Sequence, residues 1–313
     1  MIAIETLNLE KTYKVGFWRK RPKRALLPLN LRVAEGEIFG FLGPNGAGKT
    51  TTLKVLMGLV FPTAGSARIL GREWTDPEIK AQIGFLPEQP YFYDYLTAHE
   101  LLNYYGQLSG VPGKERQGRI EEVLARVGLV DVKGVQLRKF SKGMLQRAGI
   151  AQAILHNPKI VFFDEPMSGL DPMGRREVRD LMAQLKQEGK TVFFSTHILS
   201  DAEALCDRVA IIHRGELLRV GAVHELTSAV QGKIEVIWEG TQVPAPMKTL
   251  GAECVVSGDT VRATMPEAQQ DAVIDLLRRE RMRLISVTPL RTSLEQYFVE
   301  KLKSSEKTAG ANG

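Results

Sequence analysis

The chain has 313 residues, 43% of them hydrophobic and 25% charged, with a net charge of +6, enough for one large core and a small appendage. No apolar run reaches membrane-spanning length, and Met1-Ile2-Ala3-Ile4-Glu5 lacks the basic–apolar–small order of a secretory leader, so neither a span nor a leader is expected. Cys206 and Cys254 lie far apart without metal-ligand spacing and are expected as buried free thiols in a reducing cytoplasm.

Residues 1–230 alternate short β-rich runs with helical stretches, the pattern of an α/β core. Strands are predicted over Ile2–Leu9, Glu37–Leu42, Ala67–Leu70, Ile83–Leu86, Ile160–Phe163, Val192–Ser195, Val209–His213 and Glu216–Val220. Between the first two, Arg19, Lys20, Arg21, Lys23 and Arg24 follow Phe17-Trp18, and Pro22 inside the cluster predicts a loop. A solvated hairpin tip and a contact for anionic headgroups or an acidic membrane partner both account for this charge. Helices over His99–Ser109, Lys114–Val127 and about Ser141–Leu155 make an all-helical insertion between about 88 and 155.

The pattern changes near Val230-Gln231-Gly232. Strands at Lys233–Trp238, Glu253–Val256, Thr260–Thr264 and Leu284–Val287, with helices at Glu267–Arg281 and Thr292–Leu302, predict a small α+β domain over 232–303. Thr292 or Ser293 caps the last helix. Residues 304–313 are small and polar and are expected to be disordered.

The chemistry starts at Gly43-Pro44-Asn45-Gly46-Ala47-Gly48-Lys49-Thr50-Thr51, which fits the phosphate-loop pattern G-x-x-x-x-G-K-[ST]. It lies between an apolar strand and a helix predicted over Thr50–Leu59. Glycines let successive N–H groups converge on one anion, and a side chain at Gly46 or Gly48 would block that approach. Lys49 supplies charge for the β- and γ-phosphates, Thr50 offers a hydroxyl to Mg²⁺, and the helix N-terminus adds positive potential. Ile160–Phe163 then delivers Asp164 and Glu165 to a strand end, where Asp164 can hold the Mg²⁺ shell and Glu165 can polarise the attacking water.

Asp171, after Ser168-Gly169-Leu170, reads either as an N-cap or as part of the site. His197 ends the buried run Thr191–Thr196 and reads as structural or as a sensor of the γ-phosphate. Ser141, in Phe140-Ser141-Lys142-Gly143-Met144, stands at an N-cap position, but Met144 cannot close a capping box. That leaves N–H groups for a second phosphate far from the first loop, and Lys142 suits an anion there. Two cradles in one chain suggest nucleotides clamped between two copies, head to tail.

With these motifs in order over about residues 1–230, the chain resembles the ATP-binding cassette ATPases of ABC transporters. The resemblance implies a P-loop NTPase α/β core with a β-subdomain and helical insertion. By it Gly43–Thr51 is the Walker A loop, Asp164 the Walker B aspartate, Glu165 the catalytic glutamate, Ser141–Met144 the signature, Ser168–Asp171 the D-loop and His197 the switch histidine. Tyr13, otherwise a strand-end tyrosine, matches the aromatic that stacks on adenine. Two departures, Phe140-Ser141-Lys142-Gly143-Met144 in the signature and Glu88 followed by Gln89 in the Q-loop, are similar to the ABC-2 type exporters, as is the C-terminal extension. Glu88 and Gln89 are candidate metal or water contacts.

The resemblance implies ATP and Mg²⁺ as cofactors and ATP hydrolysis driving export. The implied partners are a separate ABC-2 type permease and a second ATPase copy, with no nucleic acid, at the cytoplasmic face of the cell membrane. An importer ATPase and a soluble, ribosome-associated cassette ATPase are the alternatives. The aromatic run Tyr91-Phe92-Tyr93-Asp94-Tyr95 reads either as packing of the insertion or as the edge that receives the permease.

Overall fold

The structure is a computed structural model that describes residues 1–16, 21–227, 229–291 and 293–298. The chain divides into two compact units, Met1–Val223 and His224–Gly313, so the division falls ahead of the pattern change at Val230-Gln231-Gly232.

The first unit opens with β1 (Ile2–Val15), β2 (Arg21–Ala34), β3 (Ile38–Leu42), α1 (Lys49–Leu56), β4 (Ala64–Ile69), β5 (Arg72–Glu73), α2 (Pro77–Lys80) and β6 (Ile83–Leu86). The helical insertion follows as α3 (Ala98–Leu108), α4 (Gly113–Arg126) and α5 (Lys142–Ile154). The core resumes with β7 (Ile160–Asp164), α6 (Pro172–Gln187), β8 (Thr191–Thr196), α7 (Leu199–Leu205), β9 (Arg208–His213) and β10 (Glu216–Ala222).

Two sheets result. One is antiparallel in the order β2-β1-β4-β5; the other runs β10-β9-β3-β8-β7-β6 and is parallel from β9 to β6. Strands β3 and β7 are buried at every residue, as continuous apolar runs in a parallel sheet require. Phe39, Phe41, Phe162 and Phe193 fill the core shared with α1 and the antiparallel strands, with ring centroids 5.5–5.6 Å apart. Phe163 and Phe194 turn to the opposite face and pack with the helical insertion. Parallel strands bring their carboxyl ends to one edge of the sheet, so Gly43, Glu165 and His197, each just past a strand end, come together there.

The loop expected at the basic cluster is overturned where the structure describes it. Arg21, Pro22, Lys23 and Arg24 belong to β2, paired with Val15, Lys14, Tyr13 and Thr12 of a β1 longer than expected. Leu29, Leu31 and Val33 alternate inward and supply the strand's burial. Pro22 and Pro28 are tolerated because β2 is an edge strand. Phe17, Trp18, Arg19 and Lys20 lie outside the described residues.

A turn, α8 (Val223–Leu226), precedes β11 (Ala229–Glu239), β12 (Glu253–Ser257), β13 (Thr260–Pro266), α9 (Gln270–Arg279) and β14 (Leu284–Arg291). These strands form an antiparallel sheet in the order β12-β13-β11-β14. Val236 and Trp238, Val261 and Ala263, and Val273 and Leu277 of α9 make its core. Ser293 caps the final helix reciprocally: Gln296 N donates to Ser293 Oγ at 3.2 Å and Ser293 N donates to Gln296 Oε1 at 3.1 Å. Thr292 and the tail at 304–313 lie outside the described residues. Among those residues no helix is long and apolar enough to cross a membrane.

Candidate active site

The loop from Gly43 to Gly48 winds around the side chain that follows it. Lys49 opens α1, and its Nζ donates to Gly43 O at 2.7 Å and to Pro44 O at 3.3 Å. The same ammonium lies 3.1 Å from Glu165 Oε1, both side chains being 6% exposed. Gly46 and Gly48 have φ of +79° and +111°. A Cβ at Gly48 would stand 2.6 Å from Ala25 O, whereas at Gly46 it would meet no protein atom within 4 Å. Besides any obstruction of an anion, a side chain at Gly48 would therefore meet β2, and both glycines hold a φ that other residues rarely adopt.

Asp164 ends β7 and is almost fully buried. Its Oδ1 accepts a 2.5 Å hydrogen bond from Ser195 Oγ on β8. That hydroxyl accepts from Glu165 N at 3.0 Å, and Ser195 O accepts from the same N–H at 3.2 Å. Glu165 has φ +51°, a left-handed conformation that a non-glycine residue holds only when its surroundings enforce it. Here Ser195 enforces it. Glu165 Oε2 pairs with His197 Nδ1 at 2.9 Å, so one buried carboxylate joins the phosphate-loop lysine to the histidine.

Ser195 was not among the sequence candidates. The signal was a hydroxyl interrupting the apolar run Val192-Phe193-Phe194, legible only once β7 and β8 are known to be neighbours with Asp164 opposite Ser195. Ser195→Ala strips the donor from a buried carboxylate. It is expected to cost about 1–3 kcal/mol of stability and about tenfold or more in ATP turnover, read from denaturant midpoints and steady-state rates. Native values in both would remove Ser195 from the site.

A cleft of about 430 Å³ brings together Tyr13, Asn45, Gly46, Lys49, Thr50 and Glu165, with Thr51, Gly48 and Glu88 also on its wall. Lys23 and Arg24 line it too, so part of the basic cluster faces the cleft, where cations suit a polyphosphate. Tyr13 is paired with Lys23 across the strands, and Lys11 Nζ stands 5.1 Å from its ring centroid. Of the two Q-loop candidates, Glu88 is on the cleft; the Gln89 amide oxygen accepts from the Tyr91 hydroxyl at 3.2 Å.

Ser141, Lys142, Gly143, Met144 and Asp171 gather at a second cleft of about 380 Å³ that shares no lining residue with the first. Ser141 is the N-cap of α5, its Oγ accepting from Met144 N at 3.2 Å. The N–H of Met144, expected to be left for an anion, is therefore taken by the cap. Asp171 caps α6 through Gly174 N at 2.8 Å. Lys142 Nζ lies 2.1 Å from where a Cβ on Gly169 would sit, so the Ser141–Met144 turn rests against Gly169.

A strand–phosphate loop–helix, an acidic pair ending the next strand but one, and a histidine ending the strand between them define a P-loop nucleotide hydrolase. The sequence profile of the ABC transporter family matches residues 26–168. Over 303 residues the chain is 45% identical to an uncharacterised ABC transporter ATP-binding protein of Synechocystis sp., covering 96% of this chain and 85% of that one. The bacitracin transport ATP-binding protein BcrA of Bacillus licheniformis is 44% identical over 218 residues, 69% of this chain and 68% of BcrA. The dimeric post-hydrolysis structure of the ATP-binding cassette MJ0796 with ADP and Pi superposes with a TM-score of 0.65 at 30% identity, over 70% of this chain and 98% of that one. The chain belongs to the ABC transporter ATP-binding protein family; it is an ATP-binding subunit and an ATPase.

Proposed function

We propose that two copies of this chain close head to tail around two Mg-ATP and drive export through a separate ABC-2 type permease at the cytoplasmic face of the membrane. The observation that carries the dimer is the separation of the two clefts: the phosphate loop and the signature turn share no wall within one chain. A second copy that supplies the signature would let one nucleotide touch both. MJ0796, a cassette of similar fold, is dimeric with ADP and Pi bound. Export and the ABC-2 class rest on the signature variant and on Glu88, and the similarity to a bacitracin transport protein supports a transport role.

The residues suit this chemistry. The Glu165 Oε1 atom is buried with no hydrogen-bond partner among the described residues, and Lys49 is its nearest cation. A phosphate anion competes with that carboxylate for the ammonium, leaving Glu165 as the base for water. Thr50, Asp164 and Glu88 offer hard oxygen donors for Mg²⁺, which neutralises charge on the phosphates when bound. Lys49 and the loop amides hold the phosphates on one side, and the partner's Ser141 turn faces them from the other. Tyr13 is placed to stack on the base, and His197 to relay the state of the γ-phosphate to Glu165.

Capture of Glu165→Gln from native membranes with Mg-ATP, followed by mass spectrometry, tests the reading. A polytopic membrane protein without a binding protein is expected. A binding-protein partner would make the chain an importer ATPase, and ribosomes or a soluble dimer alone would remove transport.

The aromatic run divides in two. Phe92 packs on the insertion's core, edge-on to Tyr105 at 6.3 Å. Tyr91, Tyr93 and Tyr95 are exposed, Tyr91 by 88%. In the reconstituted transporter, alanine at Tyr91 and Tyr93 is expected to lower transport about tenfold or more, as for aromatic anchors of an interface, while the isolated subunit keeps its ATPase rate. Loss of both activities together would assign these rings to packing.

A further inference from the structure

Asp201 is a carboxylate that the chemistry above leaves unused. It lies in the first turn of α7 and is 2% exposed. Two guanidinium groups from α6 face it: Arg175 Nη2 is 3.4 Å from Oδ2 and Arg179 Nη1 is 3.4 Å from Oδ1. The two arginines are four apart, on one face of α6. Neither contact is tight, and Asp201 Oδ2 and Arg175 Nε have no hydrogen-bond partner among the described residues. The carboxylate is buried while the two guanidiniums stay 29% and 32% exposed; pairing with part-exposed cations adds little stability, yet removing them strands a buried carboxylate. Stability alone is a poor reason for it.

What the cluster joins is more telling. Helix α6 starts at its cap Asp171, at the end of the short turn that leaves Glu165, and Arg175 N donates to Asp171 O. Helix α7 starts two residues after His197, and its N-cap position, Ile198, makes no side-chain cap; the Ile198 N–H is held by Thr196 Oγ1 at 3.0 Å. Glu165 and His197 meet at 2.9 Å at the roots of these helices. Among the described residues Asp201 is the one buried charged side chain of α7, and the half-buried Arg175 and Arg179 tie it to the first half of α6.

We infer that Asp201 is a positioning residue for ATP hydrolysis: by drawing the first turn of α7 onto the Arg175/Arg179 face of α6, it sets the distance between His197 Nδ1 and Glu165 Oε2. The inference rests on the reading of His197 as the γ-phosphate relay. ATP binding should be left unchanged, because none of the three residues lines the phosphate cleft.

The test uses the full chain with Asp201→Asn, Asp201→Glu, Arg179→Gln and His197→Ala, each assayed for ATP turnover and for ATP affinity by equilibrium binding. Asp201→Asn is expected to lower kcat on the order of tenfold to a hundredfold, as small misplacements of catalytic groups do. Its ATP affinity should stay within about twofold of native, and the nitrogen NMR resonances of the His197 imidazole should shift. Asp201→Glu, which keeps the charge, should recover part of the rate. Should Asp201→Asn fail to fold, Arg179→Gln, which leaves Arg175 on the carboxylate, should show the same split at smaller amplitude. A folded Asp201→Asn with native turnover overturns the inference. So does a parallel fall of rate and affinity with the His197 resonances unmoved, or, where only Arg179→Gln folds, native behaviour of that variant. His197→Ala separates the two readings: native turnover there removes the relay itself, whereas its loss beside a native-like Asp201→Asn removes the positioning role alone.

Discussion

Glu165→Gln is expected to lower ATP turnover by about 10²-fold or more, the size of effect that loss of a positioned general base produces, while ATP still binds and holds two copies together. The argument is one of shape kept and charge lost. Glutamine fills the same buried volume, and its amide oxygen can still accept from His197 Nδ1, where the carboxylate oxygen now stands at 2.9 Å. It cannot take a proton from water. The other carboxylate oxygen, 3.1 Å from Lys49, is replaced by a group with no negative charge, so phosphates meet no internal competitor for the ammonium. Affinity for ATP should therefore hold or rise as the rate falls, the mark of a residue that acts in the transition state. Single-turnover hydrolysis and light scattering with and without Mg-ATP check both halves. Near-native turnover would take the base role from Glu165, and a monomer at saturating ATP would count against the clamp between two copies.

Much of the core was legible because its residues are locally redundant. The runs Ile38–Leu42, Ile160–Phe163 and Val192–Ser195 are short, apolar and bounded by turn residues, and each is a buried parallel strand. The phosphate loop carries its own pattern, and Asp164-Glu165 inherit their place from the strand before them. What escaped depends on partners distant in sequence. The strand Arg21–Ala34 starts with three cations and a proline, and reads as a loop until β1 is seen to pair with it along its length. Ser195 and Asp201 are ordinary polar residues in sequence; their meaning comes from Asp164, 31 positions away, and from α6. Glu88 and Gln89 could not be told apart by spacing, since a one-residue shift in a loop decides which side chain faces the cleft. Of the N–H groups at the start of α5, that of Met144 is taken by Ser141, a cap that the residue's own type announces.

The two positive-φ glycines of the phosphate loop yield the other large effect, and they should differ. Gly48→Ala faces two obstacles: φ of +111°, which alanine rarely adopts, and the carbonyl of Ala25 at 2.6 Å from the new methyl carbon. That carbonyl cannot step aside cheaply. The next residues of β2 are tied in, since Leu27 N donates to Gly215 O at 2.8 Å and Gly215 N donates to Ala47 O at 2.8 Å, closing a circuit of β2, the β9–β10 turn and the loop. The loop must move instead, and Lys49 moves with it. A loss of ATP affinity on the order of 10²-fold or more is expected, since about 1.4 kcal/mol is tenfold and overpacking of a rigid site alone costs about 1–3 kcal/mol before the strained φ is added. Gly46→Ala meets no protein atom within 4 Å and carries only the left-handed penalty of about 1–2 kcal/mol, plus whatever the methyl group takes from a ligand in the cleft. Comparing ATP and free pyrophosphate for each variant by calorimetry separates the causes. A Gly48→Ala loop displaced by β2 loses both ligands alike, whereas a Gly46 methyl that obstructs the ligand weakens them in proportion to how closely each approaches the backbone. Equal, small losses at the two positions would mean that the contact with β2 does not hold the loop in place.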